Sequence, residues 1–256
     1  MNLDTNAKIT WCPGCGDFGI LNAFKGAVKE LIDEGIKKEN IVIASGIGCH
    51  AKIVDYVNVN SFYSLHGRTI PPLTGMKLAN KNLKLIGFSG DGDCLDEGIS
   101  HLIHAAKRNI DITIILHNNN VFALTVGQAT ATSPKGFKGK STPKGSIEEP
   151  LNPIKLVLVS GATFVARGYA GNPNHLKKII KKAVKHKGFS FVEVLQPCVI
   201  FNNSYQKLSK TVYDMNKKGH NINDMNLAMK KSEEFNGKIP IGIFYKIKKQ
   251  TFDEHY

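Results

Sequence analysis

Short apolar runs alternate with amphipathic stretches over about the first 200 residues of the chain. The apolar runs predict buried strands at residues 41–44, 83–89, 110–116, 162–166 and 189–195. Stretches with apolar residues every three or four positions predict helices at residues 21–32, 95–108 and 174–186. Strands that alternate with helices predict a doubly wound α/β fold with a mostly parallel sheet. Ligands bind such sheets at the carboxyl ends of the strands.

The remaining segments predict loops and a peripheral C-terminal extension. Residues 61–72 and 126–153 are rich in glycine, proline and polar residues, and the longer segment has the composition of a functional loop. From residue 203 onward the chain is more polar. We therefore predict an α/β domain over residues 1–202 and an extension over residues 203–256, which packs on this domain or on a partner subunit.

Composition excludes several classes of protein. With 42% hydrophobic residues, the 256-residue chain can bury a sizeable core, which excludes disorder as its main state. The longest apolar runs, such as residues 112–116, are far shorter than the roughly 20 residues that cross a bilayer, so we predict no membrane segment. The first residues lack a secretory signal, and five cysteines do not indicate a disulfide scaffold. Both features favour the cytoplasm.

Positive charge is concentrated in one stretch of the chain. The sequence has 34 Lys and Arg against 21 Asp and Glu, a formal net charge of +13. Twelve of these cations, and only two acids, lie between Lys135 and Lys187. A basic surface fits nucleic acid, a phosphate-rich cofactor or an acidic protein, and it is equally typical of a solvated helix.

The strongest candidate site joins the ends of two predicted strands. Gly90-Asp91-Gly92 follows the strand at 83–89, and Asn118-Asn119 follows the next strand. The spacing accommodates a turn, a helix and a second strand, so Asp91 and Asn119 can meet at adjacent strand ends. Their oxygens suit Mg²⁺, and the glycines let a diphosphate approach the backbone. The simpler alternative is an acidic turn followed by an asparagine cap.

Four of the five cysteines form a second candidate site. Cys12 and Cys15 form a CxxC pair, Cys49 lies in a glycine-rich turn, and Cys198 follows a proline. Four thiolates can bind zinc or an iron–sulfur cluster, and an isolated CxxC also occurs in redox dithiols. Cys94, directly after the GDGD motif, is predicted to be a small buried side chain, and its role stays open.

Taken together, these motifs resemble those of a known family. The segment GDGD…HAAKRNIDITIILHNNNVFALTVGQATATS is similar to the thiamine diphosphate motif of the β subunits of 2-oxoacid:ferredoxin oxidoreductases. The segments WCPGCGDFGIL, GIGCHAK, LHGRTIPPLTGMKLAN, QPC and IPIGIFYK also resemble that family, in the same order. The resemblance implies the thiamine diphosphate-binding fold, with thiamine diphosphate, Mg²⁺ and a [4Fe-4S] cluster as cofactors.

The resemblance also implies roles for individual residues. Mg²⁺ would be held by Asp91, the Asn119 side chain and the Val121 main-chain carbonyl. The implied ligands of the [4Fe-4S] cluster are Cys12, Cys15, Cys49 and Cys198. The residues implied to contact the cofactors are Gly48, Cys49, His66, Gly90, Asp91, Gly92, Asp93, Asn119, Val121, Leu124 and Thr125. Those implied to act on the substrate are Lys52, His66, Arg68, Leu124 and Thr125.

Some of these assignments stay open at the level of sequence. Lys52 and Arg68 could equally be ordinary surface cations. The family usually carries Tyr-Gly where Phe122-Ala123 stand here, and some members have Lys or Gly in place of Val126. These departures leave the preferred 2-oxoacid undetermined.

The reaction implied by the resemblance is the oxidative decarboxylation of a 2-oxoacid, such as pyruvate or 2-oxoglutarate, with coenzyme A. It yields acyl-CoA, CO₂ and two electrons for ferredoxin. A partner α or fused γα subunit would supply the glutamate that activates the cofactor, in an (αβ)₂ assembly. The basic stretch would suit an acidic ferredoxin or the phosphates of coenzyme A, and we predict neither nucleic acid nor a membrane as partner.

Two alternatives compete with this interpretation. A cluster-free thiamine diphosphate-dependent decarboxylase or synthase would use Asp91 and Asn119 but would have no use for four cysteines. A zinc-stabilised protein that binds nucleic acid through its lysines would use the cysteines but would leave Asp91 and Asn119 without a role.

Overall fold

One eight-stranded sheet flanked by helices forms the fold, and the computed structural model describes residues 2–235 and 237–255. The strands are β1 (Ile41–Ser45), β2 (Asn60–Tyr63), β3 (Lys84–Gly90), β4 (Thr113–Asn118), β5 (Phe164–Tyr169), β6 (Ser190–Leu195), β7 (Val212–Asp214) and β8 (Ile239–Lys246). The α-helices are α1 (Asp17–Asp33), α2 (Ile70–Ala79), α3 (Ile99–Arg108), α4 (Pro153–Val159), α5 (Pro173–Lys185), α6 (Tyr205–Thr211), α7 (Met225–Ser232) and α8 (Phe252–His255). Within the described residues, no helix has the length and apolar character needed to cross a membrane.

The sheet has the strand order β2-β1-β3-β4-β6-β5-β8-β7. Neighbouring strands are parallel except for the antiparallel pair β5 and β8, so the predicted doubly wound, mostly parallel α/β fold is confirmed. One hydrophobic cluster contains residues of α1 and α5, and a second contains residues of α3, α4 and α7. The strand order changes direction between β1 and β3. A crevice at this reversal is where doubly wound sheets bind ligands.

Part of the predicted loop 61–72 is helical, and a helix that was not predicted begins at the end of the predicted loop 126–153. The predicted loop 61–72 contains most of β2 and the start of α2, whose first turn holds two prolines. Proline suits the first helical turn because the N–H groups there have no partner within the helix. Helix α4 begins with Pro153, and the Asn152 side chain accepts the Lys155 N–H as its cap. The helix predicted at 95–108 begins later, at Ile99, after a π-helical turn over Gly92–Asp96.

The C-terminal segment extends the sheet at one edge. Strand β8 pairs with β5 and β7, and Phe244 is fully buried in the second hydrophobic cluster. The predicted division into residues 1–202 and 203–256 stays a prediction, and its ranges include residues 1, 236 and 256, which lie outside the described part of the chain.

Six of the eleven lysines in the basic stretch form ion pairs within the described chain. On α5, Lys177, Lys181 and Lys185 form ion pairs of 2.6–2.9 Å with Glu30 of α1 and with Glu34, the residue that caps it. Hydrogen bonds from Lys177 and Lys181 lower the pKa of Glu30 to about 2. This face of α5 therefore holds two helices together, which reduces the charge available to a partner.

A buried ion pair connects β5 and β6 beneath the loop that follows β4. The Arg167 Nε donates to Glu193 at 2.6 Å, and both side chains are almost completely buried. The second Glu193 oxygen accepts from the Asn118 side-chain amide at 2.7 Å. Because Asn118 directly precedes Asn119, the pair supports the backbone of the candidate binding site.

Replacing Arg167 with methionine should destabilise the protein by about 3–5 kcal/mol, because it leaves the Glu193 carboxylate buried without its counter-ion. The measurement is chemical denaturation of the purified protein. Lys155→Met is the control, since Lys155 forms an exposed pair with Glu233 and its loss should cost less than about 1 kcal/mol. Equal effects of the two substitutions would contradict this account of the buried pair.

Candidate cofactor site

A cavity of about 210 Å³ opens at the point where the strand order reverses. It is lined by the loop after β1, by the turn after β3, by the loop after β4, and by His66 and Gln196. All eleven residues that the sequence predicts to contact the cofactors line this one cavity. The cavity is smaller than the about 300–1,000 Å³ typical of ligand pockets, which fits a site that is shared with a partner chain.

Asp91 lies in the floor of the cavity and is held by two threonines. The Thr130 and Thr132 hydroxyls both donate to its Oδ2, at 2.6 and 2.7 Å. Both hydroxyls donate to the same carboxylate oxygen, which fixes the orientation of the carboxylate. Burial raises the pKa of Asp91 to about 6, against the two hydrogen bonds, which lower it. A cation in the cavity would favour the ionised carboxylate.

Asn119 and Val121 line the same cavity as Asp91. The Asn119 Oδ1 accepts the Val121 N–H at 3.0 Å, which orients the amide. Asn120 between them has φ of 61°, in the left-handed region that asparagine tolerates. An amide oxygen and a main-chain carbonyl beside a carboxylate form the hard-oxygen donor set that Mg²⁺ prefers. The residues present therefore fit the predicted magnesium site.

Asp93 organises the loops around the cavity. Its Oδ1 accepts the Gly67 N–H at 2.7 Å and the Ile47 N–H at 3.1 Å, and its Oδ2 accepts the Ser89 hydroxyl. Burial acts to raise the pKa of Asp93, but His50 and these hydrogen bonds outweigh it and hold the pKa below its ordinary value. Asp93 is thus a carboxylate whose oxygens are already engaged by the protein, although it lines the cavity.

Two buried side chains in the cavity wall were not anticipated from the sequence. The Nδ1 of His117, in β4, lies 2.7 Å from Asp17 Oδ1, and both residues are almost completely buried. Burial lowers the pKa of His117, against the opposing effect of Asp17. The Gln196 side-chain amide donates to Cys15 Sγ at 3.7 Å. A histidine at the end of a predicted strand, one residue before Asn118, is the only sequence signal for this arrangement.

The predicted cluster cysteines lie on three loops that hydrogen bonds join. The Trp11 indole donates to the Cys49 carbonyl at 2.7 Å, and the Gly16 N–H donates to the Pro197 carbonyl at 3.2 Å. Burial is the main cause that raises the pKa of Cys49 to about 11, and the charges of Cys198 and Cys12 add to it. The Cys49 charge also acts to raise the pKa of Cys15, so Cys49 interacts electrostatically with each of the other three thiols.

Neither candidate metal site is a cluster of acidic or histidine side chains. In the described part of the chain, no three His, Cys, Asp or Glu residues are grouped so that they could hold a metal ion. The predicted magnesium site contains one such residue, because its other donors are an amide and a main-chain carbonyl. A four-iron cluster is larger than a single ion and separates its thiolates more widely.

Lys52 and Arg68 lie outside the cavity lining. The Lys52 ammonium is 3.5 Å from the Thr10 carbonyl. Its charge acts to lower the pKa of Cys49 and so opposes the larger effect of burial. Arg68 donates to the Glu97 carbonyl at 2.8 Å. Leu124 and Thr125 lie at the exposed rim of the cavity. The substrate roles of these residues and of His66 stay predictions.

Replacing Gly92 with alanine should weaken cofactor binding and destabilise the protein by about 1–3 kcal/mol, because a Cβ there would overlap the Phe122 ring in the cavity wall. Calorimetric titration with thiamine diphosphate and chemical denaturation measure the two effects. Gly75→Ala is the matched control. Nothing surrounds a Cβ at this position in α2, and alanine should stabilise the helix by about 0.5–1 kcal/mol. If both substitutions destabilise the protein, or both stabilise it, the prediction is wrong.

Comparison with known proteins agrees with this site. Residues 46–194 match the family described as thiamine pyrophosphate enzyme, C-terminal TPP binding domain. Residues 198–256 match the family described as the C-terminal part of the pyruvate ferredoxin oxidoreductase beta subunit. The fold and its cavity thus define a thiamine diphosphate-binding enzyme domain.

Whole-chain relatives narrow the assignment. The chain is 46% identical over 249 residues to the 2-oxoacid:ferredoxin oxidoreductase subunit beta of Saccharolobus solfataricus, covering 92% of this chain and 81% of that protein. It is 38% identical over 246 residues to the 2-oxoglutarate synthase subunit KorB of Methanocaldococcus jannaschii, covering 95% and 90%. A structure of 2-oxoglutarate:ferredoxin oxidoreductase from Magnetococcus marinus, with 2-oxoglutarate, coenzyme A and succinyl-CoA bound, superposes with a TM-score of 0.94 at 34% identity, over 99% of this chain and 86% of that one.

The chain belongs to the β subunits of the 2-oxoacid:ferredoxin oxidoreductases. The predicted family and the predicted class of enzyme, an oxidoreductase that uses thiamine diphosphate, are therefore confirmed. As a β subunit it functions with a partner subunit.

Proposed function

We propose that this chain catalyses the coenzyme A-dependent oxidative decarboxylation of a 2-oxoacid, pyruvate or 2-oxoglutarate among them, and passes the electrons through a [4Fe-4S] cluster to ferredoxin. The products are acyl-CoA, CO₂ and two electrons. The names of the relatives support this proposal, because they include a 2-oxoglutarate synthase subunit and an oxidoreductase with succinyl-CoA bound.

The observation that carries the proposal is the position of Cys49. This residue lines the cofactor cavity, and its thiol is also the electrostatic neighbour of Cys12, Cys15 and Cys198. A cluster held by these four residues would therefore lie against the cofactor cavity. A cluster in this position could accept electrons directly from a molecule bound in the cavity.

The residues of the chain have distinct tasks in this scheme. Asp91, Asn119 and Val121 would hold Mg²⁺, which neutralises the cofactor diphosphate, while Thr130 and Thr132 fix the Asp91 carboxylate. Thiamine diphosphate, when bound, supplies the electron sink for loss of CO₂. The Cys12, Cys15, Cys49 and Cys198 thiolates would hold a cluster that accepts the electrons one at a time.

Partner subunits complete the scheme. We propose that the cavity is covered by an α or fused γα subunit, which supplies the glutamate that activates the cofactor, in an (αβ)₂ assembly. The small volume of the cavity supports a shared site. The lysines proposed to attract ferredoxin or coenzyme A are those without ion pairs among the described residues, including Lys178 and Lys182 of α5, because their neighbours Lys177 and Lys181 already bind Glu30.

The test is to coexpress the chain with its partner subunit and purify the complex under anaerobic conditions. Iron, zinc and thiamine diphosphate contents are measured together with the visible spectrum, and ferredoxin reduction is assayed with pyruvate and with 2-oxoglutarate, with and without coenzyme A. We expect about four irons per β chain and a broad band near about 400 nm that bleaches on reduction.

The outcomes separate the proposal from its alternatives. Ferredoxin reduction that requires both a 2-oxoacid and coenzyme A supports it. A colourless complex with stoichiometric zinc would overturn it. A colourless complex that retains thiamine diphosphate and decarboxylates a 2-oxoacid would assign the chain to cluster-free chemistry.

A further inference from the structure

We propose that His117 and Gln196 form a hydrogen-bond-accepting subsite in the wall of the cofactor cavity, which binds an N–H or O–H donor of the molecule that reacts there. The inference rests on the proposed function, because it assigns a contact within the same cavity. Both residues line the cavity, and each is at least nine-tenths buried.

The first observation is an unsatisfied atom on each side chain. Within the described residues, His117 Nε2 and Gln196 Oε1 are buried and have no hydrogen-bond partner. A buried polar atom without a partner costs about 1–3 kcal/mol, so these two are costly unless a ligand satisfies them. His50 Nε2, a third such atom in the cavity wall, differs from them because it lies 3.5 Å from the Asp93 carboxylate. A ligand that contacts this wall would provide the missing partner for both atoms.

The second observation is that both side chains are anchored at their far ends. Asp17 accepts the proton on His117 Nδ1 at 2.7 Å, so Nε2 presents a lone pair. The Gln196 amide nitrogen donates to Cys15 Sγ, so Oε1 is the free end. Neither side chain can rotate to satisfy itself without breaking its anchor. The subsite is therefore preorganised to accept, and not to donate, hydrogen bonds.

The acceptor character defines the class of ligand. A 2-oxoacid anion has no N–H or O–H group, and a diphosphate is itself an acceptor, so neither fits this wall directly. Two donors close to the reacting carbon are available before coenzyme A, which carries donors of its own, takes part. They are the exocyclic amine of thiamine diphosphate, and the hydroxyl that would form when the cofactor carbon adds to the substrate's keto carbon and the keto oxygen takes up a proton. Both groups are hydrogen-bond donors that lie close to the reacting carbon.

The experiment compares His117→Phe and Gln196→Met in the complete complex, purified anaerobically. Each substitution keeps the approximate size of the side chain and removes the acceptor. Gln196→Met also removes the N–H donor to Cys15 Sγ, and Gln196→Glu is the matched variant because it removes the same donor but keeps an acceptor oxygen. Thiamine diphosphate affinity is measured by calorimetry, and kcat and KM by ferredoxin reduction. His186→Phe is the control, because His186 is a buried histidine whose Nε2 lies 2.8 Å from Thr163 and outside the cavity lining.

If the donor is the cofactor amine, each substitution should raise the Kd of thiamine diphosphate about 3- to 10-fold. If the donor is the hydroxyl formed during the reaction, kcat should fall by a similar factor while the Kd and KM stay unchanged. His186→Phe should alter neither value. Gln196→Glu, which keeps an acceptor oxygen, should restore part of the loss seen in Gln196→Met.

Unchanged Kd and kcat in Gln196→Met, with iron content and assembly intact, would overturn the subsite. This variant decides the question if His117→Phe fails to assemble. Failure of the proposed function is a different result, since the unmodified complex would then bind no thiamine diphosphate or reduce no ferredoxin.

Discussion

Asp91→Asn should abolish the binding of Mg²⁺ and thiamine diphosphate and, with it, ferredoxin reduction. The substitution keeps the side-chain size but removes the only carboxylate of the proposed magnesium site. Loss of an outer partner of a metal ligand typically weakens metal affinity about 10- to 100-fold, so loss of the ligand itself should weaken it by more. Calorimetric titration of the complex with Mg²⁺ and thiamine diphosphate measures the effect.

The same substitution should leave the metal-free protein folded and make it more stable at pH 8. The folded-state pKa of Asp91, about 6, is above its ordinary value of 3.8, so the ionised carboxylate destabilises the fold at high pH. This cost is absent well below pH 3.8, grows as the pH rises through about 6, and is then fully present. The advantage of Asp91→Asn should therefore shrink as the pH falls toward 4. Denaturation at a series of pH values tests this.

The control for both effects is Glu97→Gln, which removes an exposed carboxylate six residues further along. It should bind Mg²⁺ and thiamine diphosphate like the unmodified protein. If Asp91→Asn binds both with normal affinity, Asp91 is not a magnesium ligand. If it unfolds the protein instead, the carboxylate has a structural role that its burial does not indicate.

The sequence places Asp91 and Asn119 close together because the signals for their positions are local. Glycines flank Asp91 directly after an apolar strand, and the next apolar strand ends at Asn119. Once the strands are parallel, their order along the chain puts both ends at the same edge of the sheet. This geometry brings Asp91 and Asn119 to the cavity, whereas Gly48, Cys49 and His66, which also line it, are predicted from the family resemblance alone.

What the sequence could not anticipate depends on long-range packing. Residues Thr130 and Thr132 lie in a segment predicted only as a loop, yet their hydroxyls hold Asp91 across 39 and 41 residues. Arg167 looked like one more cation of the basic stretch, but it is completely buried against Glu193. Periodicity identifies which positions are buried, but it does not identify the partner that makes burial of a charge tolerable.

The place of β8 in the sheet was not predicted, for a related reason. Strand β8 follows a polar segment, and its residue Phe244 packs into the second hydrophobic cluster. Antiparallel pairing of β8 with β5 joins residues about 80 positions apart. Contacts at such separation leave no local pattern in the chain.

Cys198→Ser should remove the iron–sulfur cluster and leave the cofactor cavity intact. Cys198 is buried and neighbours Cys49, but it does not line the cavity. Because thiolates hold the irons of such clusters, a serine hydroxyl should not replace it. We expect the band near about 400 nm and the iron content to disappear, and ferredoxin reduction to fall at least about 100-fold. The Kd of thiamine diphosphate should stay within about twofold, as no cavity contact is lost.

Cys94→Ala is the matched control, because Cys94 is as buried as Cys198 but lies in the turn Gly92–Asp96, after the magnesium-binding aspartate. Its removal should leave the iron content unchanged. The pair of variants therefore distinguishes a cluster ligand from a buried structural cysteine. Iron retained in Cys198→Ser and lost in Cys94→Ala would reassign the fourth ligand to the GDGDC motif. It would also place the proposed cluster next to the turn Gly92–Asp96. Such a result would contradict the electron path proposed through Cys49.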